Sequence, residues 1–280
     1  MSKKTILNIK ESKNVKKLTM ITAYDATSAR IVEKAGIDMI LVGDSLGMTM
    51  QGKNDTNGVT MDDMIYHAKI VCNNAPETFV VVDMPFMSYE ICEAQALENA
   101  GRIFRETGAR AVKLEGGENV LPQIKALVNA GIPVMGHLGL TPQRAAMLGG
   151  FKAQAKTAEG ANKLADEAFM LQDAGCFAIV LEAVPYKVAE ALSKRLSIPT
   201  IGIGAGNGCD GQVLVFHDML GFSDFTPRFA KRYAELGDLA VKAVQEYIQE
   251  VETSAFPESE KHGFTISDKE WDNFYWSKME

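Results

Sequence analysis

Eight short apolar runs punctuate the chain, each closing on glycine or polar residues. They are MITAYD (20–25), MILVGDS (39–45), FVVVDMP (79–85), AVKLEGG (111–117), PVMGHLG (133–139), AIVLEAV (178–184), PTIGIGAG (199–206) and QVLVFHDML (212–220). They are short, rich in β-branched residues and without strict alternation, the pattern of strands buried on both faces. Stretches of helical character lie between them. Residues 61–75 open with Asp62 and Asp63, which favour the positive end of a helix dipole. Residues 88–108 set Leu97, Ile103 and Phe104 on one apolar stripe and stop at Gly108, and 157–175 stop at Gly175. Alternation of strand and helix implies a parallel sheet. Eight such strands between residues 20 and 220 predict an α/β fold closed as a (β/α)8 TIM barrel. The gap between the seventh and eighth strands leaves no room for a helix and is the weak point of the eightfold repeat. The competing open, doubly wound sheet is disfavoured because no GxGxxG opens a first helix.

The pattern predicts one catalytic domain over 1–256, with an extra helix ahead of the first strand and 227–254 as the last barrel helix. Residues 257–280 form a C-terminal extension carrying Phe264, Trp271, Phe274, Tyr275 and Trp276. Such an aromatic tail is expected to pack against its own subunit or a neighbour. The 280 residues are 46% hydrophobic and 23% charged, ordinary for a soluble protein, and the net charge of −7 argues against nucleic acid or an anionic membrane as partner. The polar N-terminus lacks an apolar signal core, and no apolar run reaches the ~18 residues of a spanning helix, so a cytoplasmic location is expected. Cys72, Cys92, Cys176 and Cys209 are scattered, which suggests reduced thiols rather than a zinc site or disulfide framework.

Chemistry in such a barrel sits at the carboxyl ends of the strands. Strand two brings Asp44 and Ser45 there, strand three Asp83, strand four Lys113 and Glu115, strand five His137 and strand six Glu182. Each acid alone could be a turn former or a helix cap. Together on three consecutive strands, Asp44, Asp83 and Glu115 would repel one another, and a hard divalent cation removes that cost. Oxygen-only ligands favour Mg²⁺, which keeps waters and leaves positions for a substrate's oxygens. Lys113 and Glu115 are two apart and so share one face of their strand; the buried ammonium calls for either the neighbouring acids or a substrate carboxylate. Glu182, following an apolar run, would have a raised pKa and could act as a base near neutrality. His137 could polarise an oxygen, orient a partner or fill the core. Gly47 is read as a bend giving the site room. The GIGAG turn (202–206) could admit a flat ligand or form a tight barrel turn, and Met48 and Met50 could line a pocket or the core. The result is a Mg²⁺ enzyme acting on a 2-oxo acid, whose adjacent carbon the chelated cation acidifies.

Several segments together resemble the ketopantoate hydroxymethyltransferase (3-methyl-2-oxobutanoate hydroxymethyltransferase) family. They are ITAYD (21–25), LVGDSLGMTMQG (41–52), DMPFMSY (83–89), VKLEGG (112–117), GHLGLTPQ (136–143), GGFKAQAKT (149–157), LEAVP (181–185) and IGIGAGNGCDGQVLVFHDMLG (201–221), spread through most of 15–252. The resemblance implies a barrel of the phosphoenolpyruvate/pyruvate-lyase type, assembled as a homodecamer. It implies transfer of a one-carbon unit from the co-substrate 5,10-methylenetetrahydrofolate to 3-methyl-2-oxobutanoate, giving 2-dehydropantoate and tetrahydrofolate on the way to pantothenate and coenzyme A. It makes Asp44, Asp83 and Glu115 magnesium-site residues, sets Ser45 and Lys113 against the oxo acid with Asp44 and Asp83, and makes Glu182 the proton acceptor. It also implies a glycine where this chain has Ala155, and a shorter tail. Two other readings stand beside it. A Mg²⁺-dependent carbon–carbon lyase related to isocitrate lyase would use a cysteine loop, but no KKCGH-like segment is present. A non-catalytic oxo-acid sensor would need an effector or DNA-binding module, and none is visible.

Overall fold

A computed structural model of the protein describes residues 4–223 and 225–274. The expected eight strands are β1 (Leu18–Thr22), β2 (Met39–Val42), β3 (Phe79–Asp83), β4 (Ala111–Glu115), β5 (Val134–Gly139), β6 (Ala178–Glu182), β7 (Thr200–Ile203) and β8 (Gly211–Leu214). All run parallel and in chain order, and β1 pairs with β8 to close the barrel. Alternation divides each strand between two cores. Met39, Leu41, Phe79, Val81, Ala111, Met135 and Val180 fill the interior, while Ile40, Val80, Val112, Leu114 and Ile179 pack outward against the helices. The strands are therefore buried on both faces, as the continuous apolar runs required.

The helices begin and end for local reasons. Met61–Asn74 starts from Thr60, whose hydroxyl caps Asp63 while the Asp63 side chain caps Thr60 in return. Glu93–Thr107 stops at Gly108, whose φ of 85° is the left-handed cap that glycine adopts without strain. Between β7 and β8 the chain crosses without a helix, as the short gap in sequence demanded.

The amino end of the barrel is closed by the extra helix, Ile6–Glu11, which buries Ile9 in the interior core. Behind it Lys13 pairs with Asp210 at 2.7 Å, and Lys4 and Lys16 converge on Asp38 at 3.0 and 2.8 Å. A cleft of about 510 Å³ lies on this side, lined by Lys4, Asn8, Val15, Lys16 and Asp38 among others, away from the strands' carboxyl ends.

Three expectations are corrected. Of QVLVFHDML only the first residues are strand; Phe216–Leu220 is a short helix ended by Gly221. The helix expected at 227–254 is Leu236–Glu252, because the stretch before it, which opens with a proline, does not coil. Nor is this helix seated on the barrel: Leu239, Val241, Val244, Tyr247, Ile248 and Val251 are all exposed. The described part of the extension, 257–274, is exposed throughout, so of the two partners expected for the aromatic tail its own barrel is not the one, and a neighbouring subunit is left. Tyr275 and Trp276 lie outside the described residues.

Candidate active site

Strand alternation aims Asp83, Lys113, Glu115, His137 and Glu182 into the barrel, because each is an even number of residues from an interior apolar side chain of its own strand. Register then makes them neighbours: Asp83 is opposite Lys113, Glu115 opposite His137, and Glu182 opposite Gly139. Asp44 and Ser45 lie just past β2, in the turn that leads into the helix Leu46–Thr49. Asp44, Asp83, Lys113, Glu115 and His137 are buried, and Glu182 keeps 15% of its side chain exposed. The structure therefore brings every predicted site residue to one end of the barrel.

Lys113 Nζ stands 2.9 Å from Asp83 Oδ1, and Asp83 Oδ2 accepts from the backbone N–H of Asp44 at 3.1 Å. Asp83 thus braces the neighbouring strand end, and does not cap its own. Gly43 allows this approach: a Cβ there would come within 2.8 Å of Ser45 Oγ and 3.4 Å of Asp83 Oδ2. Burial opposes the charge on Lys113, but Asp83, Glu115 and Asp44 outweigh it and hold the ammonium above its ordinary range. Burial raises Asp44 well above the carboxylate range, with repulsion from Asp83 and Glu115 adding to it. Asp83 is raised as well, by burial, with Lys113 opposing.

His137 spans two acids. Its Nδ1 is 3.4 Å from Glu115 Oε1 and its Nε2 3.2 Å from Glu182 Oε2, while Lys113 Nζ is 3.3 Å from Nδ1. Burial and the Lys113 charge push the imidazole down, but Glu115 and Glu182 more than offset them, so it rises to about 9. The imidazole is thus buried between two carboxylates, although Nε2 has no partner in hydrogen-bond geometry. Glu182 accordingly faces an imidazole and not apolar surroundings alone.

Three buried residues without a predicted role complete the site. Tyr24 OH shares a hydrogen bond of 2.8 Å with Ser45 Oγ, and burial lifts the phenol to about 12, so it stays protonated. Gln143 and Tyr89 lie between Asp44 and Glu115. All three sit inside segments that carried the resemblance, ITAYD, DMPFMSY and GHLGLTPQ; Tyr24 falls in the run read as the first strand, though β1 ends at Thr22, while Tyr89 and Gln143 follow their strands with no strand position to mark them.

The donor set suits Mg²⁺: all oxygen, buried, and mutually repulsive without a cation. Asp83 Oδ1, although within ion-pair distance of Lys113, has no partner in hydrogen-bond geometry, which leaves a lone pair for a metal. The three acids do not form a ready cage. Among the described residues no three acidic, histidine or cysteine side chains close around one point. Waters and substrate oxygens would have to complete the coordination of a cation held here.

One glycine reading changes. Gly47 turns toward Val59, where a Cβ would come within 2.6 Å of Cγ2, so it serves packing and not the site's room. Of the strand-seven glycines, Gly202 is buried while Gly204 and Gly206 are exposed, with Phe229 beside Gly204 and Tyr186 beside Gly206. The GIGAG segment is a tight turn in which Gly204 and Gly206 take positive φ of 66° and 77°. Met48 and Met50 are exposed.

The sequence profile of the family described as ketopantoate hydroxymethyltransferase matches residues 3–259. A 3-methyl-2-oxobutanoate hydroxymethyltransferase of Nitratidesulfovibrio vulgaris is 57% identical, covering 96% of this chain and 88% of its own. One of Clostridium botulinum is 54% identical, covering 98% and 100%. Among solved structures, a 2,3-dimethylmalate lyase of the PEP mutase/isocitrate lyase superfamily superposes with a TM-score of 0.59 at 17% identity, over 96% of this chain and 93% of its own. Phosphonopyruvate hydrolase in complex with oxalate and Mg²⁺ gives 0.61 at 13%, over 97% and 94%. These structural likenesses show the barrel type, and the sequence relatives show the family. The chain belongs to the ketopantoate hydroxymethyltransferase family.

Proposed function

We propose that the protein transfers a hydroxymethyl group from 5,10-methylenetetrahydrofolate to 3-methyl-2-oxobutanoate, giving 2-dehydropantoate and tetrahydrofolate for pantothenate biosynthesis. One observation carries the reading: a cluster of three buried acids beside a protonated lysine, with a separate, partly open carboxylate, Glu182, at the same barrel mouth. Family membership supports the choice of substrates. The alternative of a lyase is supported only at the level of the barrel.

Asp44, Asp83 and Glu115 would hold Mg²⁺. When bound, the cation supplies positive charge where the keto oxygen of the oxo acid becomes negative. Lys113, kept protonated by the surrounding acids, meets the substrate's anionic oxygens. The Ser45 hydroxyl, oriented by Tyr24, donates to the substrate carboxylate. Glu182 takes the proton from carbon three, with His137 Nε2 within ion-pair distance, 3.2 Å, on its other side. Water supplies the hydroxyl oxygen: it adds to the one-carbon unit, both C–N bonds to the folate break, tetrahydrofolate leaves, and carbon three bonds to the resulting carbonyl carbon, whose oxygen takes up the proton.

Assembly with further copies, a decamer by resemblance, is part of this reading. The apolar residues left in solvent along Leu236–Glu252 support it, and light scattering on the purified protein checks it. So is a cytoplasmic location; no helix among the described residues is long and apolar enough to cross a membrane. The mechanism is tested by exchange of deuterium from carbon three of the oxo acid into water with Mg²⁺ present. Glu182→Gln should abolish the exchange while the oxo acid still binds; undiminished exchange removes Glu182 as the base.

A further inference from the structure

Gln143, in the 3₁₀ turn Pro142–Arg144 after β5, is buried and joins three other strand ends. Its Nε2 donates to Asp44 Oδ2 at 2.8 Å and to the Met84 carbonyl at 3.0 Å, so both amide hydrogens are used. Its Oε1 accepts from Tyr89 OH at 2.8 Å, and its backbone N–H donates to Glu115 Oε2 at 3.0 Å. The amide has one workable orientation: turned over, its oxygen would face a carboxylate and a carbonyl with nothing to donate. Tyr89 supports the choice: of its hydroxyl's two acceptors, Gln143 Oε1 at 2.8 Å is nearer than the Glu115 carbonyl at 3.2 Å. The Tyr89 oxygen accepts from the Glu115 N–H at 3.2 Å, which leaves the hydroxyl hydrogen to be donated. Among the described residues, the amide of Gln143 is the one hydrogen-bond donor that the Asp44 carboxylate receives.

We propose that Gln143, oriented by Tyr89, is the positioning residue of the cation site, fixing one oxygen of Asp44 and one of Glu115 so that both acids present to the metal in a set direction. This rests on the reading of Asp44, Asp83 and Glu115 as Mg²⁺ ligands. A buried carboxylate with a fixed partner cannot swing toward Lys113 or away from the mouth when the site is empty. The site is therefore preorganised through a residue that touches neither metal nor substrate.

Magnesium binding to the full-length protein, measured by isothermal titration calorimetry with Mg²⁺ alone, tests this beside thermal unfolding. Gln143→Met keeps the volume and the backbone bond to Glu115 but removes the amide. Tyr89→Phe leaves the amide free to turn. Both variants are expected to unfold cooperatively, and Gln143→Met to weaken Mg²⁺ binding by roughly tenfold or more, with Tyr89→Phe smaller in the same direction. A merely structural role would lower Tm and leave the Mg²⁺ affinity of the folded protein unchanged, and that result overturns the proposal. Should Gln143→Met not fold, Tyr89→Phe decides alone. If the wild type takes up no Mg²⁺, the cation reading itself falls; if it binds and the variants bind equally, only the role of Gln143 falls.

Discussion

His137 Nε2 lies 3.2 Å from Glu182 Oε2, so the imidazole of β5 carries the carboxylate of β6 on one edge and Glu115 on the other. A base held this way approaches carbon three from a set direction. In His137→Gln, exchange at carbon three is expected to fall by roughly ten- to a hundredfold while oxo-acid affinity changes little. Exchange within twofold of wild type would show that Glu182 needs no such support.

Asp44 is strained electrostatically by burial and by Asp83 and Glu115. Asp44→Asn keeps an acceptor for Gln143 and removes the charge. Without Mg²⁺ this variant should be no less stable than wild type in thermal melts near neutral pH, because a carboxylate with a raised pKa weakens the fold when ionised. Its Mg²⁺-dependent binding of the oxo acid should fall by at least about tenfold. Wild-type affinity would remove Asp44 from the ligand set.

Ala155 occupies φ 55°, a left-handed conformation that favours glycine, in the loop whose Gln154 N–H bonds the Ala183 carbonyl just after β6. The glycine implied by the resemblance thus has a physical reason. An alanine there costs about 1–2 kcal/mol, and glycine's greater freedom in the unfolded chain offsets part of the gain. Ala155→Gly is expected to raise stability in urea unfolding by about 0.5–1 kcal/mol. A loss of stability would contradict this account of the loop.

Asp38 gives a pH signature outside the active site. Burial pushes its carboxyl up, but Lys16, the Thr19 N–H and Lys4 outweigh that and lower it to about 2. A folded pKa below the unfolded one contributes stability that is complete above about 4 and lost as the pH falls through about 2. Asp38→Asn should therefore be less stable than wild type at pH 7, and the gap should narrow as urea unfolding is repeated below pH 4. A gap that stays constant with pH would show that the lysines contribute nothing through charge.

The barrel was legible because its strands are buried on both faces, and unbroken apolar runs such as FVVVD leave few other readings. Side-chain direction in Lys113 and Glu115 followed from a period of two, and register did the rest. What was not legible lay in turns and in helices without a partner. Gln143, Tyr89 and Tyr24 act through hydrogen bonds between elements far apart in sequence, which no local period encodes. The amphipathic pattern of 236–252 signals a face to be buried but not what buries it, and placing it on this barrel was the natural but incorrect inference. Gly47 misled because glycine marks close packing as readily as open space.

The central claim is tested most directly by incubating the purified protein with 3-methyl-2-oxobutanoate and 5,10-methylenetetrahydrofolate, with Mg²⁺ and after chelation, and following both products. The account predicts 2-dehydropantoate and tetrahydrofolate in equal amounts, dependent on the cation and lost in Glu182→Gln. Cleavage of the oxo acid without hydroxymethylated product, or no product with Mg²⁺ present, would contradict it.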